Sequence, residues 1–198
     1  MSIVIVGLGN PGTEYERTRH NAGRLAVSLL AKTEGFDAFT ENKKAIALVT
    51  KGSIEGENVT LVLPETQMNL SGKAVLPFVK SVKAAKTLVV VRDDLDLPLG
   101  VIKMTFARGS GGHRGVESIM RALKTDAFAQ IKIGISAKTP KGKTKKPSGE
   151  EKVIKHVLGK FSPAEDPLLK KTLKKVMSVL TLFASDGIEK ATMEANTK

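Results

Sequence analysis

Cysteine is missing from all 198 residues, which removes disulfides, thiolate metal centres and cysteine nucleophiles together. Long apolar runs are missing as well: no stretch approaches the roughly 20 residues that a membrane-spanning helix needs. The opening run MSIVIVGLGN has no basic segment ahead of its apolar residues, so no secretory signal is expected. There is no G-x-S-x-G elbow, which argues against a serine hydrolase of that type. The three histidines lack H-E-x-x-H or any comparable spacing, so no resident metal is expected. A cytoplasmic protein without membrane association fits these absences.

What the chain has in excess is positive charge. Its net charge is +12, and a balance of that size points to a polyanionic partner, nucleic acid first. The charge is concentrated: from Lys138 to Lys175 twelve lysines face only Glu150, Glu151, Glu165 and Asp166. Within this span, KTPKGKTKKPSGEE reads as a mobile basic loop over 138–150. The following stretch, 163–186, reads as a helix with Leu168, Leu169, Leu173, Val176, Val179, Leu180 and Phe183 at helical spacing on its inner face. Lys170, Lys171, Lys174 and Lys175 fall on the other, where they could track phosphates.

At 41% apolar residues the chain can bury one substantial core, and no linker or internal repeat divides it. Val- and Ile-rich runs predict strands at Ser2–Val6, Ala45–Lys51, Asn58–Leu63, Thr87–Val91, Val101–Ala107 and Gln130–Ser136. Helical spacing predicts helices at Asn21–Thr33, Ser71–Ser81, Gly115–Lys124 and Pro163–Ala184. KGSIEGENV and DLDLPLG read as hairpin connections. Strands joined both by hairpins and by helices give a single α/β domain, a twisted mixed sheet with helices on both faces.

Gly7, Gly9 and Gly12 satisfy G-x-G-x-x-G directly after the first strand. A dinucleotide site starts its helix at that turn, so that the helix N-terminus faces the pyrophosphate. Here TEYERTRHN follows without an apolar stripe, and the first amphipathic run begins only near Asn21. A nicotinamide-dependent oxidoreductase is therefore rejected. What remains is a loop carrying Asn10, Tyr15, Arg19, His20 and Asn21.

Three more polar loops follow other strands, where α/β sheets place their sites. VVVRDDLDLPLG carries Asp93, Asp94 and Asp96, a cluster as compatible with a turn as with a cation. PETQMNLSGKAV carries Gln67, Met68 and Asn69 ahead of a helix whose expected N-cap is Ser71. FARGSGGHRG carries His113 and Arg114, both candidates for binding the substrate. A histidine and an aspartate without a nucleophilic side chain point to direct attack by water, with the imidazole as general base and the carboxylate holding its tautomer. Such a site suits an ester, and the basic surface suits an RNA that carries an acyl group.

GLGNPGTEYERTRHNAG, QMNLSGKAV, RDDLDLPLG and GSGGHRG, in this order between Ile3 and about Lys160, closely resemble the bacterial-type peptidyl-tRNA hydrolase family. The resemblance implies a monomeric, cofactor-free α/β enzyme that cleaves the ester between a peptide and the 3′ end of tRNA. Carried over by motif, it makes His20 the general base, Asp93 its partner, and Asn10 and Asn69 ligands of the peptide end. Tyr15, Gln67 and Met68 would line the pocket for the terminal adenosine and aminoacyl group, and Lys103 and Lys132 would contact phosphates. Two positions depart from the family pattern. Arg114 stands where asparagine is usual, so a group that only donates replaces one that also accepts; it could hold a substrate carbonyl or phosphate. Gln67 stands where an aromatic is common, and the lysine-rich loop is longer than the family norm. Some relatives of this fold act in RNA binding and splicing instead, but Asn10, His20, Asn69 and Asp93 together favour the enzyme.

Overall fold

The structure, a computed structural model, describes residues 2–139 and 144–197. Elements follow in the order β1 (Ile3–Gly7), α1 (Ala22–Thr33), β2 (Thr40–Asn42), β3 (Ala47–Ile54), β4 (Glu57–Pro64), α2 (Ser71–Val75), α3 (Val82–Ala85) and β5 (Leu88–Pro98). The chain continues through β6 (Ile102–Phe106), α4 (Arg114–Leu123), β7 (Ala129–Lys138), β8 (Thr144–Lys145), α5 (Glu150–Leu158), α6 (Asp166–Asp186) and α7 (Ile188–Asn196). The sheet order is β2-β3-β4-β1-β5-β7-β6, with β8 on β7. β1 is parallel to β4 and β5, and β5 to β7; the remaining ladders are antiparallel.

Successive residues of a strand face opposite sides of the sheet, and here both sides are covered. Ile3, Ile5, Val89 and Val91 join residues of α1, α6 and α7 in one core. Val4, Val6, Leu88 and Val90 join Ala85 and the inner faces of α2 and α4 in the other. The continuous apolar runs of β1 and of β5 from Leu88 to Val91 follow from burial on both faces. One mixed α/β domain results, as the sequence predicts.

Several local readings need correction. DLDLPLG is not a hairpin: β7 lies between β5 and β6, and β5 runs on to Pro98 with a register irregularity after Asp94. The helix expected over Ser71–Ser81 ends at Val75: Leu76 keeps helical geometry, its amide donating to the Gly72 carbonyl at 3.0 Å, but Pro77 has no amide hydrogen with which to continue the ladder. Ser71 is not a cap but the first residue of α2, its hydroxyl donating to the Met68 carbonyl at 2.8 Å. Part of the lysine-rich stretch is ordered as β8 and the start of α5, while 140–143, including Lys141 and Lys143, lie outside the described residues.

The glycines of the opening loop serve packing. A Cβ on Gly23 would sit 2.1 Å from the Val91 carbonyl oxygen, and one on Gly7 would sit 2.7 Å from that of Gly23. Helix α1 thus lies almost on the backbone of β1 and β5, a separation that glycine alone allows. Gly12 turns the chain with φ 106°, and two 3₁₀ turns, Thr13–Tyr15 and Arg19–Asn21, fill the gap before α1. No α-helix starts at the glycine turn, only the 3₁₀ turn Thr13–Tyr15, so the pyrophosphate geometry is not built.

Candidate active site

The close seating of α1 brings the turn Arg19–Asn21 against the carboxyl-terminal part of β5. There the Asp93 carboxylate is buried at 3% exposure and accepts two hydrogen bonds on the same oxygen. His20 Nδ1 lies 2.9 Å and His113 Nε2 3.0 Å from Oδ1. The imidazole rings tilt 44° to one another with centroids 5.2 Å apart.

The tautomers follow from the partners. His113 is the N-cap of α4, its Nδ1 accepting from the Gly115 and Val116 amides at 3.2 and 3.4 Å. Its proton must therefore be on Nε2, where it is donated to Asp93. An ionised Asp93 can only accept, so His20 presents Nδ1–H to it and keeps a lone pair on Nε2. Burial by itself would raise the pKa of Asp93, but the two imidazoles outweigh it and hold the carboxyl well below the usual range. Burial pulls His20 down, yet the charge and hydrogen bond of Asp93 pull harder, and its pKa lies above the ordinary value. For His113 burial dominates, and its pKa is lowered. One neutral, structurally committed histidine and one basic histidine share a carboxylate.

His20, Asp93 and His113 place three ligand-type atoms within 4.8 Å. In this hydrogen-bonded state the donor set does not suit a cation. The nitrogens facing Asp93 carry protons, and turning the His113 tautomer over would point N–H at two backbone amides.

A cleft of about 500 Å³ opens over this trio. Asn10, Gln67, Met68, Asn69 and Arg114 join His20, Asp93 and His113 in its lining. Asn10 is fixed on three sides. Its amide donates to Asn21 Oδ1 and its carbonyl accepts from Asn21 Nδ2, both at 2.9 Å, and its own Oδ1 accepts from the Met68 amide at 2.9 Å. The remaining Nδ2 has no partner among the described residues. Gln67 and Asn69 are exposed, Asn69 on the 3₁₀ turn Met68–Leu70; the Met68 side chain is buried in the core beside Leu8 and Val116.

Not every expected residue converges here. Tyr15 is half-buried on its own 3₁₀ turn and lies outside the cleft lining. Lys103 and Lys132 lie outside it too, but they face one another in register on β6 and β7, and Lys132 is in register with Arg92 of β5. Partial burial, then the charges of Arg92 and Lys103, lower the pKa of Lys132. A row of three cations thus crosses the sheet from the edge of the site.

Sequence reading passed over two contributors, Arg92 and helix α5, and gave a third, Asn21, no role. Arg92 is buried, pairs with Asp94 at 3.0 Å and donates to the carbonyls of Asp93 and Ser110 at 2.8 and 3.3 Å. It thereby ties the Asp93 backbone to the glycine loop that delivers His113. Asn21 clamps Asn10, and its only signal was its place beside His20. Helix α5 walls the far side of the cleft with Val153, Ile154, Val157 and Leu158.

Comparison with known proteins places these features in a family. The model of the family described as "Peptidyl-tRNA hydrolase" matches residues 4–198. The peptidyl-tRNA hydrolase of Carboxydothermus hydrogenoformans is 42% identical over 98% of this chain and 97% of its own. That of Aquifex aeolicus is 40% identical over 89% and 87%. A crystal structure of peptidyl-tRNA hydrolase from Acinetobacter baumannii superposes with a TM-score of 0.87 at 35% identity, covering 98% of this chain and 94% of that one.

Proposed function

We propose, from the premise that the chain belongs to the peptidyl-tRNA hydrolase family and hydrolyses peptidyl-tRNA to release tRNA, that His20 is the general base of the reaction. The observation that carries this reading is the double hydrogen bond on Asp93. It leaves His20 Nε2 as an acceptor in the cleft and keeps His113 neutral. Water held at Nε2 loses its proton to His20 as its oxygen bonds to the ester carbonyl carbon. The imidazolium so formed is stabilised by Asp93. When the tetrahedral intermediate collapses, the bond to the ribose oxygen breaks and the proton passes from His20 to that oxygen. The products are a free tRNA terminus and a peptide carboxylic acid, which loses its proton to solvent. Asn10 Nδ2 and the exposed Asn69 amide offer hydrogen bonds to the peptide beside the ester. Arg114, at the cleft mouth, binds substrate as well.

The nucleic-acid part of the substrate is held outside the cleft. Lys103, Lys132 and the net charge of +12 support phosphate contacts, which give affinity without sequence preference. Tyr15 would have to meet the acceptor end from outside the lining described above. On the same reading the enzyme works as a cytoplasmic monomer without cofactor. The test is release of N-acetyl-amino acid from N-acetyl-aminoacyl-tRNA. His20→Ala should slow the chemical step by roughly 10²–10⁴-fold, the usual contribution of a positioned base. A variant as fast as the parent, or activity lost to a chelator and restored by metal, would refute this mechanism.

A further inference from the structure

Arg114 follows His113 directly, and its guanidinium spans the cleft mouth to Glu150, the first residue of α5, with Nη2 2.8 Å from Oε1. Both residues line the cleft. The two side chains are 63% and 75% exposed, so the bond lies in water, where such pairs contribute little and exchange partners readily. The other arginine of the lining, Arg92, is buried and committed to Asp94 and two backbone carbonyls. Arg114 also opposes protonation of His20 through its charge, which puts the guanidinium within electrostatic reach of the reacting end. At the far end α5 is held separately, by a 3.1 Å hydrogen bond between His156 Nε2 and the Ile135 carbonyl. The Arg114–Glu150 contact can therefore open without releasing that end of the helix.

We propose that Arg114 is a specificity-determining residue that binds an anionic group of the substrate at the cleft mouth, Glu150 serving as its counter-ion until substrate displaces it. The proposal rests on the peptidyl-tRNA hydrolase reading. Peptidyl-tRNA can supply the anion in two ways, from the phosphodiester next to the esterified nucleotide or from an acidic side chain of the peptide. The planar donor fork of arginine matches either group. Because Glu150 competes for the same donors, removing Arg114 and removing Glu150 should have opposite effects on substrate affinity. A pair that merely braces α5 against α4 would respond in the same direction to either loss.

Steady-state kinetics of the full chain, R114Q and E150Q on three N-blocked substrates tests this. The first is tRNA carrying N-acetyl-valine. The second is the same molecule with an uncharged methylphosphonate at its last internucleotide linkage, and the third carries an N-acetylated peptide that contains glutamate. R114Q should raise KM about fivefold and E150Q lower it about threefold on an anion-bearing substrate, each with a smaller change in kcat, the scale of one exposed charged contact. A KM effect of R114Q on the valine substrate that vanishes with the methylphosphonate assigns the phosphodiester. An effect confined to the glutamate-containing substrate assigns the side chain. KM moving the same way in both variants, or unchanged on all three substrates, overturns the proposal alone. Failure of the parent protein to cleave any substrate overturns the hydrolase reading and the proposal with it.

Discussion

Asp93→Asn separates charge from geometry at this site. Both imidazoles bond to the one oxygen Oδ1, so the asparagine carbonyl oxygen can take its place and keep both partners. What disappears is the negative charge beside the imidazolium that forms during proton transfer. With that charge spread over the ring at about 4 Å and an effective dielectric constant near 20, the lost attraction is about 4 kcal/mol. At 1.36 kcal/mol per decade this slows the chemical step about 10³-fold. The pH profile should shift as well. In the parent His20 is active when neutral and its pKa is raised, so kcat/KM climbs through an acid limb above the ordinary histidine value. In D93N burial and Arg114, both lowering influences, remain while the raising one is gone, so the limb moves to lower pH. Single-turnover release of N-acetyl-amino acid from N-acetyl-aminoacyl-tRNA, followed between about pH 5 and 9 to span the histidine range, reads both effects. A D93N rate within about tenfold of the parent, or a limb at or above the parent's, would refute the assigned role of the carboxylate.

His113→Ala removes both the cap of α4 and one donor to a buried carboxylate. The combined loss is about 2–4 kcal/mol and should lower Tm by several degrees in thermal unfolding; an unchanged Tm would contradict the assigned tautomer. Lys143→Ala, Lys145→Ala and Lys146→Ala combined should flatten the dependence of log affinity for tRNA on log salt by about one unit per lost phosphate contact. Lys146 already pairs with Asp96 at 2.5 Å, so an identical slope in titrations at several salt concentrations would leave this segment as a clasp on the protein itself.

Six strands were legible from their Val and Ile, near-continuous where both faces are buried, whereas β2 and β8, short and without apolar residues, were not. Helices α1 and α6 were legible because their stripes are regular, although Leu168 at the start of α6 is exposed. Strand order was not legible, since a connection of three residues between β5 and β6 looks like a hairpin whether or not a third strand enters between them. Nor was α5: Val153 and Val157 are correctly spaced, but they follow a Pro-, Gly- and Lys-rich stretch whose composition dominates any local window. The polar stretches after β1 and β4 were placed correctly at strand ends, but Asp93 lies within β5 and not in a loop, and the glycine loop follows the antiparallel β6. The hydrogen-bond partners within these stretches were not legible, because they depend on which atoms the fold brings together. His113 reads as a substrate contact of the glycine loop until Asp93 is seen on its Nε2 and the Gly115 and Val116 amides on its Nδ1.

The same dependence accounts for the glycine motif at the start of the chain. Side chains at Gly7 and Gly23 would push α1 off β1 and β5, carrying His20 away from Asp93, because the turn that bears His20 joins α1 without a break. The 2.9 Å contact between His20 and Asp93 tolerates little such movement, since a hydrogen bond weakens steeply once its distance and angle leave their narrow range. Asn21, two residues before Gly23, clamps Asn10 in the same step. Close helix-to-strand packing is therefore the common cause behind the base and the amide on which the proposed chemistry depends. The residues that secure it are glycines with no functional group of their own.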